Sequence, residues 1–139
     1  MNILILCTGN SCRSQIAQGW LKTINPSLNV HSAGTNPAKK VNPLAIEVMK
    51  ESGVDISSQK PKSVDEYLGM DWDYVITVCD DAKETCPVFL GDAKHRLHYS
   101  FDDPSKAARN LFGMSSRESV LRLIIYFSSS MKKYLGKKI

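Results

Sequence analysis

A short aliphatic run that breaks into a small polar loop constrains this chain most: Ile3-Leu4-Ile5-Leu6-Cys7-Thr8-Gly9-Asn10-Ser11-Cys12-Arg13-Ser14. Ile3 to Leu6 read as a strand buried on both faces. Gly9 and Asn10, which tolerate positive φ, turn the chain. Ser14-Gln15-Ile16-Ala17-Gln18-Gly19-Trp20-Leu21 then takes up helical spacing. A strand, a polar loop and a helix N-terminus in succession collect backbone N–H groups and the positive end of a helix dipole. Such a place suits an oxyanion.

Two side chains make that cradle a candidate for chemistry. Cys7 ends the strand, where loop amides and the helix terminus favour its thiolate. Arg13 follows after five residues, and its planar fork can hold two oxygens of a tetrahedral anion. Taken alone, Cys7 could be a small buried hydrophobe and Arg13 a surface charge. The apolar strand before them and Gly9, Asn10, Ser11 and Ser14 around them favour a nucleophilic thiolate in an oxyanion loop.

The 139 residues fit one domain, 1–139, with room for a sizeable core. No run approaches membrane-spanning length, and Met1-Asn2 leads directly into the strand, so the expected compartment is the cytoplasm. Cys7, Cys12, Cys79 and Cys86 lack the paired Cys-x2-Cys spacing of a structural zinc site. Reactive thiols explain them better than a structural disulfide framework. The net charge of +4 is gathered partly in Lys132, Lys133, Lys137 and Lys138, a solvated helix end. Nothing in the pattern reads as a nucleic-acid face. The expected protein is a monomer without bound metal, acting on a small anion.

Leu28-Asn29-Val30-His31-Ser32 alternates like a second strand, with His31 on a strand face, and 33–37 reads as a loop. Asn42 and Pro43 start a helix that Gly53 ends. Ser63, with Glu66 three residues on, caps a short helix. Trp72 to Val78 is a β-branched strand suited to a central position, and His95 to Phe101 is a fourth. Val120, Leu121, Leu123, Ile124, Phe127, Met131, Tyr134 and Leu135 mark a long closing helix over 115–135. The order implies an α/β fold: an open four-stranded parallel sheet with helices on both faces. Cys7, Cys79 and Asp102-Asp103 then fall just past carboxyl ends of strands, on one rim, where such sheets place their sites.

Cys79 and Cys86 bracket 80–85, with Lys83 nearby to favour a thiolate. They read either as incidental thiols or as a relay in which Cys79 attacks an adduct on Cys7 and Cys86 resolves the disulfide. A relay needs the 80–90 segment to move. Asp103, held before Pro104, is the candidate general acid, with Asp102 the fallback; a plain turn is the alternative. Asn10 and Ser14 orient the loop and hydrogen-bond the sulfur, while Cys12 packs.

These residues match a family. Cys7-Thr8-Gly9-Asn10-Ser11-Cys12-Arg13-Ser14 with Asp103-Pro104 resembles the low-molecular-weight protein tyrosine phosphatase fold. With Val78-Cys79, Cys86-Pro87 and Phe101-Asp102-Asp103-Pro104, the chain resembles the thioredoxin-coupled arsenate reductases built on that fold, from residue 2 to about 108. The resemblance implies arsenate held by the amides of Thr8 to Ser14 and by Arg13, attack by Cys7, and proton donation by Asp103. It further implies a Cys7–Cys79 disulfide, then a Cys79–Cys86 disulfide, with thioredoxin as external reductant and no other cofactor.

Two departures matter. Some members of the family bind potassium through positions matching Asn10 and Ser32 plus two carboxylates; Gln18 and Lys62 stand where those acids would be, so no potassium site is expected. Ser105 follows Asp103-Pro104 where tyrosine phosphatases of this fold carry an aromatic residue. The alternatives to arsenate reduction are a tyrosine phosphatase with protective thiols and a non-enzymatic, oxyanion-binding redox sensor.

Overall fold

The computed structural model describes residues 1–78 and 88–98. The element order is β1 (Asn2–Cys7), α1 (Arg13–Ile24), β2 (Asn29–Gly34), α2 (Pro43–Glu51), a 3-10 turn (Val64–Tyr67), β3 (Trp72–Thr77) and β4 (Ala93–His98). The four strands form one sheet in the order β2-β1-β3-β4, with every neighbouring pair parallel. This is the expected open parallel sheet, with β1 and β3 in the interior. The closing helix expected over 115–135 lies outside the described residues, as do residues 99–101 of the expected fourth strand.

β1 is central because both its faces are covered. Ile3, Ile5 and Cys7 join one core with Ile16, Ala17 and Leu21 of α1 and Ala45, Val48 and Met49 of α2. Leu4 and Leu6 face the other side, with Ala33, Tyr67, Trp72, Val75 and Phe89. Each large aliphatic side chain withdrawn from water in this way contributes about 1.5–3 kcal/mol. Trp72, wholly buried, also donates its indole N–H to the Tyr67 carbonyl at 3.0 Å, so its polar atom is satisfied inside the core.

The helix boundaries follow local chemistry. The Asn42 side chain accepts the Leu44 N–H at 2.9 Å, with Pro43 opening α2, and Gly53 supplies the positive φ of 83° just past its end. Ser63 and Glu66 form the expected reciprocal capping box, although the turn they cap is 3-10. β2 departs from expectation: it runs on through Ala33 and Gly34 instead of breaking into a loop. Its register explains this, because Leu6 pairs with Ala33 and Cys7 with Gly34 to the last residue of β1. Among the described residues no helix is long and apolar enough to cross a membrane.

Candidate active site

The carboxyl end of β1 delivers Cys7 into the 8–12 loop, and α1 begins directly after it. α1 starts differently from α2. Its N-cap is Cys12 and no side chain caps it, whereas Asn42 caps α2. Its first-turn N–H groups have no helical carbonyl to bond, so they suit an anion.

Hydrogen bonds on the outside of the loop orient it. The carbonyls of Thr8, Gly9 and Ser11 accept the N–H groups of Asn36, Ala38 and Asn42 at 2.9, 2.9 and 2.7 Å. The Asn10 carbonyl accepts from the Gln15 side chain at 3.0 Å. Across a trans peptide the C=O and the following N–H point in opposite directions. Four carbonyls drawn outward therefore turn the N–H groups of Gly9, Asn10, Ser11 and Cys12 inward. The Asn10 N–H reaches the Cys7 sulfur at 3.1 Å. Asn10 makes the turn with φ 48°, the one non-glycine positive φ among the described residues; Gly9 does not use its freedom.

The polarity around the sulfur is determined. Asn10 Oδ1 accepts the Lys62 backbone N–H at 2.8 Å, and a backbone N–H can only donate. Asn10 Nδ2 therefore faces Ser14 Oγ, 2.7 Å away, and donates to it. The Ser14 hydroxyl keeps its own proton for the Cys7 sulfur at 2.9 Å. Two donors thus converge on a sulfur that is only 2% exposed. Arg13, 3% exposed, begins α1 directly after this loop, so its side chain is buried and not in bulk water.

The expected loop residues Thr8, Gly9, Asn10, Ser11, Cys12, Arg13 and Ser14 are thus brought around Cys7. Cys12 packs into the core, and both Cys7 and Cys12 are free thiols. Cys79, Cys86, Asp102 and Asp103 lie outside the described residues. β3 ends at Thr77, and the Val78 N–H bonds to the Leu6 carbonyl at 2.9 Å, directly before Cys7. The backbone leading to Cys79 is therefore adjacent to the backbone leading to Cys7.

The histidines sit apart from the loop. His31 is on β2 against the rings of Tyr67 and Trp72, at centroid distances of 5.3 and 5.8 Å. Burial, then the charges of Lys62 and Lys22, push its pKa down. His95 stacks on Tyr74 at 4.9 Å, and both His95 and His98 are exposed. At the positions that match the family's potassium ligands, the Ser32 hydroxyl donates to Gln18 Oε1, and Asn10 Oδ1 accepts the Lys62 N–H. An amide and a lysine do not replace two carboxylates for a hard cation. Among the described residues no group of three or more metal-ligating side chains occurs.

Sequence reasoning missed three contributors. Gly34 lies so close to the loop that a Cβ there would meet the Thr8 carbonyl at 2.4 Å. Gln15 and Gln59 join the loop to a distant segment, and nothing in helical periodicity marks them.

The comparisons with known proteins agree with this geometry. The family model for low molecular weight phosphotyrosine protein phosphatase matches residues 2–115. An arsenate reductase of Halalkalibacterium halodurans is 47% identical over 106 residues, covering 76% of this chain and 75% of that protein. A solved arsenate reductase in its phosphate-binding state superposes with a TM-score of 0.68 at 28% identity, covering 92% of this chain and 97% of the other. A thioredoxin-dependent arsenate reductase of Corynebacterium glutamicum superposes at 0.59 with 30% identity, over 92% of this chain and 60% of that one. The chain therefore belongs to the low molecular weight phosphotyrosine protein phosphatase family and is kin to its arsenate reductases.

Proposed function

We propose that the protein reduces arsenate to arsenite, with Cys7 as nucleophile. The observation that carries this reading is the loop whose carbonyls are tied outward, leaving its amides and the α1 terminus, which Arg13 begins, at the sulfur. Its arsenate reductase relatives select the substrate from among tetrahedral oxyanions.

Arsenate binds to the inward amides and the Arg13 fork. The Cys7 thiolate attacks arsenic, forming an S–As bond as an oxygen leaves, protonated by Asp103. The Cys79 thiolate then attacks the Cys7 sulfur. The S–S bond forms, the S–As electron pair passes to arsenic, and As(V) departs as arsenite, As(III). Cys86 attacks Cys79, frees the Cys7 thiolate and leaves a Cys79–Cys86 disulfide. An external dithiol, thioredoxin, reduces that disulfide by two electrons and completes the cycle. Phosphate fits the same cradle but is not reduced by thiols, so the redox step selects arsenic.

No resident metal or other cofactor takes part in this scheme. The commitment of Asn10 Oδ1 to the Lys62 N–H and of the Ser32 hydroxyl to Gln18 supports activity that is indifferent to potassium.

The test is arsenate-dependent NADPH oxidation with thioredoxin and thioredoxin reductase. The wild type should turn over repeatedly, Cys7→Ser should be inactive, and Cys86→Ser should stop after one turnover. Sustained turnover by Cys86→Ser would remove the relay. Brisk hydrolysis of para-nitrophenyl phosphate without arsenate turnover would make the protein a phosphatase. Neither activity would leave a redox sensor.

A further inference from the structure

Outside the loop, an unusual feature is a fully buried glutamine. Gln15 has no exposed surface and lies on the first turn of α1, directly before Ile16 and Ala17, which pack into the core. A buried primary amide is costly unless its hydrogen bonds are made. Here they are made to the loop on one side and to the 59–60 segment on the other. Gln15 Nε2 spreads its two N–H groups over three acceptors, the Asn10 carbonyl at 3.0 Å, Asn10 Oδ1 at 3.1 Å and the Lys60 carbonyl at 3.0 Å, so one proton is shared. Gln15 Oε1 accepts from Gln59 Nε2 at 2.7 Å, and that same amide donates to the Gln15 backbone carbonyl at 3.0 Å.

The direction of this chain is not arbitrary. The carbonyls of Asn10 and Lys60 can only accept, which orients the Gln15 amide with nitrogen toward the loop. Its oxygen must then face Gln59, which in turn presents nitrogen. The segment carrying Gln59 is held independently. Ile56 packs so closely on Gly19 of α1 that a Cβ there would fall 2.4 Å from Ile56 Cγ2. The Gly34 N–H bonds the Lys62 carbonyl at 2.9 Å. Gln15 thus fastens the one strained residue of the loop to a strap anchored at both ends.

We propose that Gln15 and Gln59 are positioning residues for the Cys7 thiolate. They hold Asn10 in its left-handed conformation with Nδ2 toward Ser14, so that the Ser14 proton is directed at sulfur. Neither residue touches the sulfur or the oxyanion; Gln59 acts through Gln15, and Gln15 acts through Asn10. The inference rests on Cys7 being the nucleophile, and it concerns how the thiolate is prepared, before any substrate binds.

The readout is the pH profile of Cys7 carboxymethylation by iodoacetate, quantified by mass spectrometry, beside a thermal melt. Gln15→Met keeps the volume and removes the donors. It should move the profile to higher pH, with about a threefold loss of rate on its acid limb, where the rate follows the thiolate fraction. Gln59 is only partly buried, so Gln59→Met leaves the core intact and should shift the profile the same way. In the Gln15→Met background Gln59→Met should add nothing, because its route to the sulfur is already cut. Profiles that coincide with wild type, even with lowered melting temperatures, overturn the proposal and leave the pair a structural clasp. A Gln59→Met shift undiminished by Gln15→Met overturns the pathway. A wild-type Cys7 that resists iodoacetate across the range overturns the nucleophile reading itself.

Discussion

Gly34→Ala should separate catalysis from stability more cleanly than any change to the reactive residues. An alanine Cβ at this position would sit 2.4 Å from the Thr8 carbonyl oxygen, 3.0 Å from the Asn10 nitrogen and 3.1 Å from Asn10 Cβ. Ordinary C···O contacts begin near 3.3 Å, so the loop or β2 must yield by about 0.9 Å. All three neighbours belong to the loop backbone or its turn, which has no rotamer with which to escape. β2 is pinned along its length by pairing with β1, so the loop is the part that moves. Overpacking of this kind costs about 1–3 kcal/mol. A displacement near 1 Å in a reacting constellation costs about 100-fold in rate. Met49→Ala provides the contrast: it opens a core cavity near the carboxyl end of α2, the opposite end from Asn42, which bonds the loop, and should cost about 2–5 kcal/mol. The assay is arsenate-dependent NADPH oxidation at a temperature where urea titration shows both variants folded. Gly34→Ala should lose most of its kcat although it is the less destabilised of the two, while Met49→Ala keeps near-wild-type turnover. A fully active, folded Gly34→Ala protein would refute the claim that β2 sets the position of the loop.

Three further outcomes follow from particular contacts. His31 resists protonation when folded, so the unfolded chain binds more protons and stability falls as pH drops through the ordinary imidazole range near 6.5. His31→Phe keeps ring contacts with Tyr67 and Trp72, and should narrow the gap in melting temperature between about pH 8 and pH 5; an unchanged gap would clear His31. Asn42→Ala removes the acceptor for the Leu44 N–H and should cost about 1 kcal/mol in denaturant titrations, with a larger loss if the 36–42 segment loosens from the loop as well. Exchanging potassium for sodium at constant ionic strength should leave turnover unaltered, and several-fold activation by potassium would contradict the reading of Gln18 and Ser32.

Much of the site was legible in the sequence because its parts are neighbours along the chain. An aliphatic strand, a turn that needs a left-handed residue at Asn10, and a helix start at Arg13 are dictated by burial, backbone sterics and the orphan N–H groups of a helix end. The Asn42 cap and the Ser63–Glu66 box are likewise interactions over two or three residues, and side-chain type alone identifies them. Those determinants place Cys7, Arg13 and Ser14 in one loop without reference to the rest of the fold. What tertiary structure alone decided spans far longer separations. Lys62 lies 52 residues from Asn10, and Gln59 lies 44 from Gln15, so no local periodicity or motif spacing records either bond. The same holds for Gly34, whose value lies in how closely β2 approaches Thr8, and for the run of β2 through a stretch whose composition resembles a loop. Residue chemistry told which groups could react; the parallel register and the anchored strap told which way each hydrogen bond runs, because donors and acceptors can be oriented only once their distant partners are in place.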